Sequence, residues 1–522
     1  MKKLIFLLTV LSLACNSTQK PVNQESTSKE ENPESFATSI TENELREHLF
    51  TYASDEYQGR ETGQPGQKKA VQYIKKAYED LNIPPLKENG EYFQKVALSV
   101  SNVPTGKIVV NSVNFEQGED FLTFSKAEGS IDEIVYVGFG IEEGEYSDYT
   151  TVDVKDKVVL MKAGEPINSD GTYTLSGTNE KSVWSNMSEA IGKRVELATE
   201  KGAKGIVYYD PENFSRFKRY YEYMKTNNSG RMQLKAETKD DFLILIKDEL
   251  VEALYPELLT TDTPGLVTKT IDLQIESADL EIDSENVVAI LRGSEKPNEY
   301  IVISSHLDHI GVNADGQINN GADDDGSGTV AMLEIAEAFK NAADQGMGPK
   351  RSIIFLHVTG EEKGLLGSKF YTDYEPLVPL KNTVANLNID MIGRIDPKRN
   401  GDRNYIYLIG SDKLSTELHE LSEKINSEYT NLELDYTYND ENDPNRFYYR
   451  SDHYNFAKNN IPIIFYFNGT HADYHRPGDT PDKINYDLLR NRTQLIFHTA
   501  WEIANKESRL EVDKVVNKKT AK

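Results

Sequence analysis

Residues 299–339 read EYIVISSHLDHIGVNADGQINNGADDDGSGTVAMLEIAEAF, and the fold follows from how that stretch divides. Residues 300–303 form a short apolar run rich in β-branched side chains, the pattern of a buried strand. His306 and Asp308 stand where such a strand ends. The loop 320–328 then carries Asp323, Asp324 and Asp325 between glycines, and an amphipathic helix follows with Val330, Leu333, Ile335 and Phe339 as its apolar positions. Open α/β sheets place their chemistry outside the carboxyl ends of the strands, so the stretch reads as half of a metal site. An acidic loop alone is more often a solvated surface. The other half must come from elsewhere in the chain.

Three further strand patterns supply it. Residues 352–359 run into GEEKGLLGS, which puts Glu361 and Glu362 in a Gly-flanked turn at a strand end. The run Thr383–Ile389 delivers Asp390, and 462–467 leads through NGTHADYHRPGDT to His475. Four strands that each end in a metal-ligating side chain are not explained by independent solvated loops. From residue 283 onward buried strands alternate with helices, which predicts an α/β fold with a mixed, largely parallel sheet flanked by helices. Upstream, Thr41 followed by Glu44 makes a capping box before a helix, and a Gly-rich loop feeds a second helix over 66–81. Between 92 and 282 the pattern changes to short alternating segments such as VALSV, GKIVVN and DKVVLMKAG, with one helical stretch at 188–201. That region reads as a β-rich insertion.

At 522 residues, 38% hydrophobic and 27% charged, the chain is long enough for two domains. Its formal charge of −27 excludes nonspecific nucleic-acid binding, which needs clustered Lys and Arg. Residues 1–14, MKKLIFLLTVLSLA, have the charged start and short apolar core of a secretory signal. Cys15 is the single cysteine and has no internal disulfide partner. LSLAC resembles the lipobox of bacterial lipoproteins, with Ser12 in place of the commoner Leu. The expectation is a chain exported across the inner membrane and anchored in the cell envelope through lipidated Cys15. Residues 15–39 read as a polar, disordered tether, and 509–522 as a polar tail. The folded body is then 40–91 with 283–508, interrupted by the insertion 92–282.

HLDH, NNGADDDGSG, EEKGLLGS, NIDMIGR and YHRPGDTPDKI together resemble the motif set of the M28 family of zinc metallopeptidases. YASDEYQGRETGQPG, residues 52–66, extends the likeness, which covers about 40–90 and 280–505. The insertion, through YVGFGIEEGEYSDYTTVDVKDKVVLMKAGEP, is similar to a protease-associated (PA) domain. The resemblance implies a zinc-exopeptidase fold and two Zn²⁺ ions. Asp323 would bridge the ions, His306 and Asp390 would serve one, and Glu362 and His475 the other. It makes Glu361 the general base, Asp308 the partner that orients His306, and Tyr448 the phenol that hydrogen-bonds the oxyanion, with Tyr449 as its rival. It also implies a cis peptide between Asp323 and Asp324. His309, His453 and His471 are candidates for substrate or ligand contacts, while His48, His357, His419 and His498 read as structural.

The activity implied is that of an aminopeptidase acting on peptides or small proteins. A glutamate-releasing carboxypeptidase is the alternative, with Arg394, Arg446, Arg450 and Arg476 available for a terminal carboxylate. A noncatalytic receptor-like relative is the third reading, against which stands the presence of all five ligands and Glu361. Three roles stay open for the insertion: covering the cleft, restricting substrate length, or joining two chains into a homodimer.

Overall fold

The computed structural model describes residues 33–514 except 187–188, 228–229, 238–240 and 278. The signal segment, Cys15 and the tether up to residue 32 lie outside the described residues, as does the tail from residue 515. Among the described residues no helix is long and apolar enough to cross a membrane.

Two large sheets organise the chain. The first has nine strands in the order Arg231–Leu234, Phe93–Ser101, Leu280–Leu291, Arg351–Val358, Lys296–His306, Thr383–Ile389, Ile463–Phe467, Tyr405–Ile409 and Glu433–Asp435. The four strands from Arg351–Val358 to Ile463–Phe467 run parallel, in the registers Ser304 with Leu356, Leu387 with Ile303, and Leu387 with Ile464. Both faces of these strands are covered, which is why every position of Arg351–Val358, Thr383–Ile389 and Ile463–Phe467 is buried. The mixed α/β architecture is as expected.

Helices Pro65–Asp80, Gly328–Asp344 and Tyr486–Asn505 supply one covering layer. Phe339 packs on Phe497 and Trp501 with ring centroids 4.8 and 5.7 Å apart, and each such fully buried side chain contributes roughly 1.5–3 kcal/mol. The helix Glu42–Tyr52 is capped as predicted, with Thr41 Oγ1 accepting the Glu44 amide at 3.2 Å. The body begins earlier than residue 40. Pro33–Ala37 is helical, with Phe36 stacked on Trp501 at 5.7 Å and Gln494 Nε2 donating to the Ala37 carbonyl at 3.0 Å. The start of the predicted tail is likewise docked: Leu510 is buried, Arg509 donates to the Lys381 carbonyl, and the Lys514 amide donates to that of Leu414.

The second sheet has eight strands, with Ala127–Tyr136, Val158–Lys162, Gly205–Tyr209 and Phe242–Ile246 parallel at its centre. Helices Ala190–Glu200, Phe214–Asn227 and Asp248–Leu254 accompany it, two more than the single helical stretch expected in this β-rich insertion. Its outer limits also move inward. Phe93–Ser101 belongs to the nine-stranded sheet, paired antiparallel with Leu280–Leu291 (Phe93 opposite Val287), and the second sheet spans Thr105 to Glu276. A strand with one alternating face looks the same in sequence whichever sheet it joins. From within the insertion, Arg231–Leu234 returns to the edge of the first sheet and pairs with Phe93–Ser101. There Leu234 joins Val96, Leu98 and Leu366 in a small core.

Candidate metal centre

The four parallel strands share one carboxyl edge, and the predicted side chains converge there. His306 ends its strand. Its amide donates to Asp325 Oδ2 at 3.2 Å, and its Nδ1 lies 2.9 Å from the Asp308 carbonyl. A carbonyl only accepts, so Nδ1 carries the proton and Nε2 presents its lone pair inward. Nε2 faces Asp324 Oδ1 at 3.1 Å and Asp390 Oδ1 at 3.7 Å. Across Asp324, His475 Nε2 lies 3.1 Å from Oδ2 and 3.2 Å from Glu362 Oε2.

The three consecutive aspartates have three different tasks. Asp323 Oδ1 accepts the Gly393 amide at 2.7 Å, and its Oδ2 lies 3.2 Å from His471 Nε2. Asp325 is fully buried and accepts amides from His306, Gly328 and Met391. Only Asp324 stands between the two halves of the cluster. The acid that faces both halves is therefore Asp324, one residue later than the expected Asp323, and the cis peptide, expected at Asp323–Asp324, is Asp324–Asp325. Neighbouring side chains leave the backbone in different directions, so a run of identical residues hides which one faces the site. Asp479 Oδ2 fixes the loop by accepting the amides of Asp323 and Asp324 at 2.9 and 3.2 Å.

The donor atoms fit a metal. They form two groups, His306–Asp324–Asp390 and His309–Asp324–Glu362, each with its atoms within 4.8 Å of one another. His306 Nε2, Asp324 Oδ2 and Glu362 Oε1 are buried without a hydrogen-bond partner among the described residues. Buried polar atoms are costly in that condition, and a set of imidazole nitrogens with carboxylate oxygens is the ligand chemistry of zinc. The protein's own charges are strongly coupled here. Burial and Asp324 push the Glu362 carboxyl up, but His309 and His475 outweigh them and bring it down to about 2. Burial lowers His475, and Asp324 and Glu362 reverse that to about 10.

His309 is the ligand-side residue that sequence reasoning left undecided. It is fully buried, with Nδ1 2.8 Å from Glu362 Oε1 and 3.8 Å from Asp324 Oδ2. Its position in HLDH was the available signal. Asp308 orients His306 through its backbone carbonyl, not through its carboxylate, which lies 3.9 Å from Nδ1. The carboxylate instead accepts the Thr62 hydroxyl at 2.7 Å and the Glu361 amide at 3.2 Å. Thr62 and Arg60 lie in the Gly-rich segment 52–66, and Arg60 donates to the carbonyls of Asn320 and Gly321 at 2.7 and 2.8 Å. Glu361 is raised well above the ordinary carboxyl range by burial, with Glu362, Asp390 and Asp452 adding to it and His306 opposing.

A cleft opens over this cluster. Asp324, Glu361, Asp390 and His475 form its polar part, Met391, Phe447, Phe465 and Phe467 its apolar part, and Thr470, Tyr474 and Arg450 complete the lining. Tyr448 does not line it. Residues Phe447–Tyr449 make a single tight turn that directs Phe447 to the cleft and packs the Tyr448 ring among apolar side chains, its hydroxyl buried without a hydrogen-bond partner. The cleft's phenol is Tyr474, stacked on His475 with centroids 3.9 Å apart. His453 is structural: Nε2 meets the Tyr448 carbonyl at 2.8 Å and the ring stacks on Phe465.

Sheet and cluster together define an α/β protein with a candidate metal centre at the carboxyl edge of its parallel strands. Residues 286–500, which include the parallel strands of the first sheet and the cluster at their ends, match the model of Peptidase family M28. The chain is 24% identical over 392 residues to a probable leucine aminopeptidase 2 of Aspergillus oryzae, covering 70% of this chain and 66% of that one. It is 26% identical over 237 residues to an aminopeptidase of Bacillus subtilis, covering 43% and 46%. It thus spans from about half to two thirds of these relatives. Among solved structures, a zinc aminopeptidase from Bacillus subtilis aligns with a TM-score of 0.46 at 18% identity, over 91% of this chain and 98% of that one.

Proposed function

We propose that this chain is an exported dinuclear zinc aminopeptidase that removes N-terminal residues from peptides or small proteins. The observation that carries the reading is Asp324, set between His306 with Asp390 on one side and Glu362 with His475 on the other. The relatives named as aminopeptidases favour that specificity over a carboxypeptidase. Bound by these residues, zinc would supply Lewis acidity and lower the pKa of water at the site.

The chain's own residues perform the proton transfers and the positioning. Glu361 lines the cleft and, among the described residues, has no side-chain hydrogen bond that would commit it elsewhere. It takes a proton from the attacking water and returns it to the leaving amine, a role worth about 10²–10⁴-fold. Asp308 holds the turn that presents it. To Tyr474, the phenol that lines the cleft, we give the donation to the developing oxyanion that the resemblance implied for Tyr448. The leader and LSLAC support export and anchoring through Cys15, and the second sheet is read as a PA-like domain on its sequence pattern.

The test combines zinc content with hydrolysis of free-amine and N-acetylated peptides. Two zinc ions per chain, turnover of free-amine peptides alone, and a Glu361→Gln variant that keeps zinc but loses at least about 100-fold in kcat are expected. Turnover only of blocked peptides with a free C-terminus would replace the reading with the carboxypeptidase one.

A further inference from the structure

Arg450 is the one Arg or Lys among the described residues that line the cleft. It forms no ion pair or side-chain hydrogen bond with any described residue, and its guanidinium lies 4.9 Å from the Phe447 ring centroid. Two cations of the loops that carry the cluster are different. Arg394 is held by Asp473 at 2.9 Å and Asp479 at 3.7 Å, and Lys483 is held by Asp473 at 2.9 Å. A chain carrying a formal charge of −27 leaves this cation without an acid.

The guanidinium carbon seated over the Phe447 ring leaves N–H groups uncommitted to any described acid, and a guanidinium receives a carboxylate with two parallel hydrogen bonds. Met391, Phe465 and Phe467 line the same cleft and offer apolar surface to the atoms between the reacting end and those N–H groups. We infer that the cleft selects substrates that carry a carboxylate at the end of a short apolar arm, received by Arg450. Two parts of a peptide have that chemistry: the side chain of an N-terminal Glu or Asp, and the terminal carboxylate of a very short peptide. The inference rests on the reading of the site as an exopeptidase centre and names the substrate class it takes.

The experiment measures paired ratios, so that general damage to the cleft cancels. On the zinc-loaded chain, kcat/KM is compared for Glu- and Gln-p-nitroanilide, and for Leu-Ala and Leu-Ala-amide. In the wild type one pair favours the carboxylate, and that pair names the source. In Arg450→Met its ratio falls by about three- to tenfold, between the worth of an exposed ion pair and that of a hydrogen bond to a charged group. Arg450→Lys restores part of it, and added salt narrows the wild-type ratio. Ratios that Arg450→Met leaves unchanged in both pairs overturn the inference. Calorimetric titration with free glutamate and glutamine decides independently of turnover: tighter glutamate binding that Arg450→Met abolishes supports the inference, and equal binding in both chains sinks it. A wild type that turns over no free-amine peptide removes the aminopeptidase reading, while the titration still judges Arg450.

Discussion

The carboxylate of Asp308 accepts the backbone N–H of Glu361 at 3.2 Å, while its other oxygen accepts the Thr62 hydroxyl at 2.7 Å. One buried acid therefore ties the general-base turn to the Gly-rich segment near the start of the fold. Its carbonyl, on the opposite side, orients His306. Asp308→Ala should lower kcat at least about tenfold by loosening Glu361, with a smaller change in zinc affinity because the carbonyl remains. Thr62→Val should act in the same direction and more weakly. Adding it to Asp308→Ala should cost little more, since both remove one linkage. Steady-state kinetics on the single and double variants check this.

The placement of the acidic loop predicts opposite outcomes for adjacent residues. Asp324→Asn should strip the centre of zinc, because its two oxygens face both halves of the cluster. Asp323→Asn should retain zinc, since an amide oxygen still accepts the Gly393 N–H. Metal analysis after dialysis distinguishes them, and retention of two ions by Asp324→Asn would refute the bridging assignment.

His309 approaches Glu362 at 2.8 Å from a fully buried position. His309→Ala should weaken zinc binding by about 10–100-fold, the usual effect of removing a group that orients a ligand. Competition against a chelator reads this without any assay of turnover.

Glu334, on the helix Gly328–Asp344, is buried with neither oxygen hydrogen-bonded among the described residues, and His48 Nε2 is 3.6 Å away. Burial, with Glu44 and Glu337, raises its carboxyl from the ordinary 4.5 to about 9. A raised folded-state value means that its contribution to stability is complete below 4.5 and is lost as pH rises through 9. Between those limits the unfolded chain ionises and the folded one stays protonated. Glu334→Met should remove that slope and raise stability at pH 8 by about 1–3 kcal/mol. Denaturant unfolding of both chains at pH 5, 7 and 9 measures it.

The strand ends were readable because each buried parallel strand is mostly apolar and is followed by a His, Asp or Glu, and four such ends together stand out. That logic located His306, Glu361, Glu362, Asp390 and His475 at one edge, as the structure has them. It could not choose among Asp323, Asp324 and Asp325, where every position has the same chemistry. Nor could it choose between Tyr448 and Tyr449, and it did not find Tyr474, because the direction of a ring in a tight turn is set by packing. Pro33–Ala37 spans 5 residues, too few to show a helical period. Phe93–Ser101 was assigned to the wrong sheet because alternation records that a face is buried, not what buries it.

The return of Arg231–Leu234 to the first sheet changes how the two sheets can move. An insertion joined at one pair of adjacent strands can swing about that pair as a door does. Here the chain crosses at Phe93–Ser101, at Arg231–Leu234 and again at Leu280–Leu291, and all three crossings are strand-paired. A body tethered at three strands has fewer directions in which to swing than one tethered at two. Leu234 also presses on Leu366, in the turn that begins at Glu361. A load borne by the second sheet would therefore enter the first sheet at these three strands, one of which shares a small core with Leu366.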